Sequence, residues 1–194
     1  MQKTNKKNIL GWTNIIATLA TTVLALTALI TVYLTVAAWK GQQDTARPYF
    51  ILKESPIVDL SDDLSFELKF TNVGMHPAKD LSSETVVFDE GLTGKPIHHD
   101  ESAIVNEIPK DASSSLVMTI PGEEIYSNQL DINAHYVVVA IHYADPILDK
   151  AYSQTIYMKW NGVQEEKMQT TEHVRVEEKG KIDEYLEKAG ISLI

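Results

Sequence analysis

The densest group of side chains able to do chemistry is His98-His99-Asp100-Glu101, with His76 in a second polar stretch. Imidazoles and carboxylates this close are the ligand types of zinc and other divalent metals, so a metal-dependent enzyme using the His98–Glu101 loop with His76 is the enzymatic reading. Neighbours on an extended chain point to opposite sides, however, so His98 and His99 cannot readily share one ion, and a solvated loop is expected. His135 and His142 lie seven apart in one strand-like run and fall on opposite faces by the same parity.

The remaining motifs fail on spacing. In Gly91-Leu92-Thr93-Gly94-Lys95-Pro96, a Walker loop would need Gly where Asp89 stands and Ser or Thr where Pro96 stands. Asp59, Asp62 and Asp63 lack the Gly and distal Glu of a calcium loop, and read as a turn before a strand. The pairs Glu123-Glu124 and Glu165-Glu166 are adjacent, which offers no geometry for acid and base on two sides of a bond. No Gly-x-Ser-x-Gly elbow, HExxH helix or GxGxxG turn occurs. With no Cys in the 194 residues, thiol nucleophiles, thiolate metal sites and a disulfide scaffold are excluded. The sequence thus assigns no catalytic, cofactor-binding or metal-ligating residue, and predicts a non-enzymatic protein without a cofactor.

Most of the chain reads as strands. Leu64, Phe66, Leu68 and Phe70 alternate with Ser65, Glu67 and Lys69, one face core and one wet. Residues 152–160 repeat the pattern through Tyr152, Ile156, Met158 and Trp160, and residues 114–120 do so through Leu116, Met118 and Ile120. Residues 136–143 (YVVVAIHY) are apolar on both faces, as in a central strand covered from each side. With residues 49–52 and 84–88, about six or seven strands separated by Asp, Asn, Gly and Pro clusters predict an all-β, antiparallel, immunoglobulin-like β-sandwich over residues 47–163. Beyond it lies a charged segment, 164–194. There Val174 and Val176 alternate with polar neighbours as a last edge strand, and Ile182, Tyr185, Leu186 and Ala189 form a short amphipathic helix that Gly190 stops and that is expected to dock on the sandwich.

The N-terminal part has another character. No charge occurs from Ile15 to Ala38, about 36 Å of helix, with Trp12, Tyr33 and Trp39 near its ends. This predicts a transmembrane signal anchor over 12–40, preceded by a cytoplasmic segment 1–11 and followed by a polar linker 41–46 (GQQDTA). A signal peptide cleaved near Val36-Ala37-Ala38 would have a shorter apolar stretch. Lys3, Lys6 and Lys7 crowd the short flank, which favours the N-terminus inside and the large domain outside. Small residues at Ala17, Thr21, Ala25 and Ala28, and the threonines Thr27, Thr31 and Thr35, could pair with another helix or merely bond back to their own backbone.

Residues 41–194 hold 13 bases against 27 acids, a formal charge of −14, which disfavours nucleic acid as a partner. Arg47-Pro48-Tyr49-Phe50, then Thr71-Asn72-Val73-Gly74-Met75-His76-Pro77-Ala78, then Tyr143-Ala144-Asp145 with Tyr152-Ser153-Gln154-Thr155, read together, resemble a diffuse group of uncharacterised bacterial single-pass membrane proteins. In that group an N-terminal helix carries an extracytoplasmic β-sandwich with RPY, NxGxxPA and YxD signatures. The resemblance covers roughly residues 12–160 and implies a cell-membrane location but no activity. The expected function is a membrane-anchored interaction or binding module with a possible protein partner, with a subunit of a larger membrane assembly as the alternative.

Overall fold

The computed structural model describes residues 4–61, 63–104, 106–122 and 131–193. Lys3, Asp62 and the pair Glu123-Glu124 lie outside the described residues. Two compact units divide the chain, residues 1–46 and 47–194.

The first unit is one helix, α1 (Thr4–Ala46), and its stretch Asn14–Ala46 is long and apolar enough to cross a membrane. The hydroxyls of Thr21, Thr27, Thr31 and Thr35 each donate to the carbonyl four residues back, so the threonine row satisfies itself within its own helix. Helix continues through Gly41–Ala46, where a linker was expected. What ends it is Pro48, whose ring disfavours the helical conformation at Arg47.

The second unit is a sandwich of two antiparallel sheets. In the first, β3 (Leu64–Asn72) is central, with β6 (Ser113–Ile120) along one edge and β1 (Phe50–Leu52) and β2 (Ile57–Leu60) in succession along the other. The second has the order β11 (Thr171–His173), β8 (Lys150–Trp160), β7 (His135–Asp145), β4 (Lys79–Asp89), β5 (His98–Ile104). Two short strands, β9 (Val163–Gln164) and β10 (Lys167–Met168), form a hairpin whose turn residues Glu165 and Glu166 both have positive φ.

Alternation accounts for the core. Leu64, Phe66, Leu68 and Phe70 face inward from β3 and meet Val137, Val139, Ile141, Met158 and Trp160 of the other sheet, with Phe66 edge-on to Trp160 at 5.6 Å. The even residues of β7, Tyr136, Val138 and Ala140, point to the opposite face, where α2 (Val176–Ala189) buries Ile182, Tyr185 and Leu186 against them. Both covers expected for residues 136–143 are therefore present, and the charged segment belongs to the same compact unit as the sandwich.

Three local expectations are corrected. His98–Glu101 is not a loop but the start of edge strand β5, held by its register with Val87 to Glu84. Asp59 lies within strand β2 rather than in a turn. The last edge strand is Thr171–His173, not the run from Val174 to Val176. Val176 is already helical and exposed, because Glu178 reaches back to the Arg175 N–H at 3.0 Å and closes the helix start.

Phe66→Ala in the full chain is expected to lower unfolding stability by about 3 to 5 kcal/mol, and Glu67→Ala by less than about 0.5. Urea unfolding in detergent checks this; equal losses would contradict the assigned faces.

Candidate functional site

The three segments that carry the resemblance are far apart in sequence, and the fold brings them to one junction at the start of the sandwich. Asn72, the last residue of β3, is fully buried. Its Oδ1 accepts from the Tyr49 N–H at 3.2 Å and the Gly74 N–H at 3.0 Å. Its Nδ2 donates to the His76 carbonyl at 2.8 Å and the Ile108 carbonyl at 3.1 Å. All four hydrogen-bonding positions of the amide are thereby used. Gly74 is required beside it, because a Cβ there would run into the Arg47 carbonyl, Pro48 Cα and the Tyr49 nitrogen. The Tyr143 hydroxyl donates to the Pro48 carbonyl at 3.1 Å, and Gln154 brackets Phe50, accepting from its N–H and donating to its carbonyl. The Arg47 guanidinium lies over the Tyr152 ring.

His76 and Asp145 close the junction. The His76 Nδ1 is 2.7 Å from Asp145 Oδ2, and the carboxylate, itself fully buried, also accepts the Ile147 and Leu148 N–H groups at 2.8 and 3.1 Å. Burial pushes the Asp145 carboxyl up, but these hydrogen bonds outweigh it and hold it below the ordinary carboxylate range. Such a pair orients an imidazole. The same carboxylate also holds the loop that follows, through the Ile147 and Leu148 N–H groups.

The other histidines are scattered. His99 pairs with Glu84 at 2.7 Å on the outer face of the second sheet, while His98, opposite Val87, points to the inner side. His135 stacks on Trp160 and its Nδ1 donates to the Asn133 carbonyl at 2.7 Å; burial lowers its pKa, keeping the imidazole neutral. His142, opposite Ser82, faces outward. Val87, beside His98, is eight strand residues from Lys79, the start of β4 that pairs near Asp145, a separation of roughly 26 Å. His76 and the His98–Glu101 strand therefore do not converge. No group of three or more potential ligands forms among the described residues. The carboxylates of the failed motifs have local work: Asp59 accepts from the Ser61 hydroxyl, and Asp63 from the Gly122 N–H at 3.0 Å.

A second polar constellation rims α2 and escaped sequence reasoning. The Tyr136 hydroxyl donates to Glu178 at 3.0 Å and the Tyr157 hydroxyl to Asp183 at 2.7 Å. Lys159 binds Glu90 and lies 3.8 Å from Glu178, and the Lys179 ammonium sits over the Tyr157 ring. Burial and the Glu178 carboxylate push the Tyr136 hydroxyl up to about 12, so it stays a donor at neutral pH. The only signal in the sequence was the spacing of Glu178 and Asp183 around Ile182, and that does not reveal their partners.

Because the Asp145 pKa is lowered in the folded state, its stabilisation is complete above the unfolded value of 3.8 and is lost as pH falls through the lower folded value. Asp145→Asn should therefore be less stable than the parent at pH 7 and lose less on acidification below pH 4. Urea unfolding as a function of pH measures both; parallel curves would contradict the pairing.

The comparison with curated proteins returned no match. A family model described as a domain of unknown function (DUF8453) matches residues 13–164, which takes in most of α1, all of the junction and every strand through β9. With that share of its length matched, the chain belongs to the family described as domain of unknown function DUF8453.

Proposed function

We propose that this protein is a membrane-anchored, non-enzymatic interaction module, with its N-terminus cytoplasmic and the acidic sandwich outside the cell membrane. The observation that carries the reading is α1 itself. The stretch carries no charge from Ile15 to Ala38, and Leu24 and Leu29 are 70% and 68% exposed, so a lipid phase is the solvent that suits it. The orientation rests on Lys3, Lys6 and Lys7.

An immunoglobulin-like sandwich suits this role. Its support is the pairing order, with β1/β2, β3 and β6 in one sheet and β8, β7, β4 and β5 in the other. Function in such folds resides in surfaces, and the histidines that an enzyme would need lie apart.

Protease added to intact cells, with any outer barrier opened, should digest the domain beyond Arg47 and spare the N-terminus. Protection until the inner membrane is lysed would contradict the orientation. Leu26→Arg, which places a charge near the bilayer midplane at a cost of about 2.5 to 3.5 kcal/mol, should move the protein out of the membrane fraction. His98→Ala/His99→Ala should leave membrane fraction and cellular phenotype nearly unchanged. Loss of phenotype in that variant, with the protein folded and membrane-bound, would bring the metal-dependent enzyme forward.

A further inference from the structure

The outer strands of the two sheets are guarded unequally. β5 carries His98, Asp100 and Glu101, β11 has three residues with Glu172 and His173 among them, and β2 has four with Asp59. At the three-residue β1, Gln154 takes both the N–H and the carbonyl of Phe50. β6 is different: its eight residues, SSSLVMTI, include no charge and no proline. Short length, charge and covering groups are what keep sheet edges from pairing with other chains, so β6 is the edge left open to such pairing.

The hydrogen-bond parity of β3 shows which groups of β6 face outward. Asn72 donates its N–H to the Ala112 carbonyl, on the β6 side, whereas Val73 donates to the Tyr49 carbonyl, on the β1 side. Bonding direction alternates along an antiparallel ladder, so the even residues of β3 bond to β6. By the register, Ser114, Leu116, Met118 and Ile120 answer them. The N–H and C=O groups of Ser113, Ser115, Val117 and Thr119 therefore point to the open edge, a row about 20 Å long. β3 is the only strand that pairs with β6 among the described residues, and these four side chains are exposed, Val117 at 59%.

We propose that β6 pairs with β6 of a second copy of this chain, antiparallel and centred on Leu116, so that the two first sheets join into one. Leu116 opposite itself sets Ser113 against Thr119 and Ser115 against Val117 of the partner copy, and no other register pairs all four edge residues of both copies. The ladder then stops by itself: Pro121 has no N–H to give, and Asp111 leaves the extended conformation at φ 62°. Charge selects a second copy in this orientation. Residues 41–194 have a formal charge of −14, so self-association needs a seam free of acid, and β6 is one. On the same outer face Lys69 flanks Ser115 and Glu67 flanks Val117. Antiparallel pairing puts Lys69 of each copy in one row with Glu67 of the other, three strand spacings or about 14 Å apart at the backbone, a weak attraction. Parallel pairing in register would align Lys69 with Lys69 and Glu67 with Glu67. The inference concerns the sandwich itself and does not depend on the interaction-module reading.

Because the chain has no cysteine, introduced thiols report the register directly. In the full chain in detergent, Ser115→Cys mixed with Val117→Cys should form a disulfide-linked pair on mild oxidation, at least about fivefold in excess of either variant alone. Only residues directly opposite come within the roughly 7 Å that a disulfide can bridge. Sedimentation equilibrium should find the parent dimeric at about 100 µM chain. Val117→Pro removes an outward N–H and no bond to β3, so it should keep cooperative urea unfolding while raising the dissociation constant at least about tenfold. If that variant does not unfold cooperatively, Val117→Lys, which puts a charge on the seam from an exposed position, makes the same comparison. A parent that is monomeric at this concentration overturns the proposal. So does a dimer that the folded edge variant leaves intact, or one in which each thiol variant alone crosslinks as well as the mixture, since another surface would then hold the copies together.

Discussion

One side-chain amide holds the start of the sandwich together. The Asn72 amide accepts from two backbone N–H groups and donates to two backbone carbonyls at once, and those four groups belong to three stretches of chain, at Tyr49, at Gly74 to His76 and at Ile108. A carboxylate would set oxygens against the His76 and Ile108 carbonyls, and an apolar side chain would take this partner from the Tyr49 and Gly74 N–H groups and the His76 carbonyl. The other features of the junction follow from that hub. Gly74 lets the Arg47–Tyr49 backbone come close, Asp145 holds His76 so that its carbonyl faces the amide, and Tyr143 ties Pro48 to the opposite sheet. Segments separated by about a hundred residues are thus fixed where the chain leaves α1.

A second constraint runs through β7. Its residues are apolar on both faces, so a two-layer sandwich alone would leave Tyr136, Val138 and Ala140 against water. At about 25 cal/mol per Å² of apolar area, an uncovered stripe of that kind is a substantial loss for a domain of this size. α2 removes it, and it does so with tyrosine-to-carboxylate bonds at the rim and aliphatic side chains at the centre. The third layer is therefore a consequence of the composition of one strand.

Alternation made the long strands legible, since Leu64 to Phe70 and Tyr152 to Trp160 announce their faces residue by residue. The two-sided burial of residues 136–143 and the i, i+3, i+4 spacing of α2 were equally readable. Short-range patterns failed where tertiary pairing decides. His98–Glu101 is polar enough for a loop, and becomes a strand only because β4 offers it an edge. Gly41–Ala46 has loop composition, yet continues a helix already nucleated before it. The junction was legible as three segments but not as one place, because the bonds of Asn72 to Tyr49 and Ile108 are non-local and leave no periodicity. The Tyr136–Glu178 and Tyr157–Asp183 contacts were invisible for the same reason.

Amide hydrogen exchange on the full chain, comparing the parent with Asn72→Asp and Asn72→Ala, tests the central role of this amide. Asn72→Ala should deprotect the Tyr49, Val73 and Gly74 N–H groups together with Ala78, whose N–H binds the Ile108 carbonyl, and lower global stability by about 3 to 5 kcal/mol. Asn72→Asp should keep Tyr49 and Gly74 better protected than Ala78, because it retains the acceptor and loses the donor. Exchange rates at these four amides that match the parent in both variants would contradict the account.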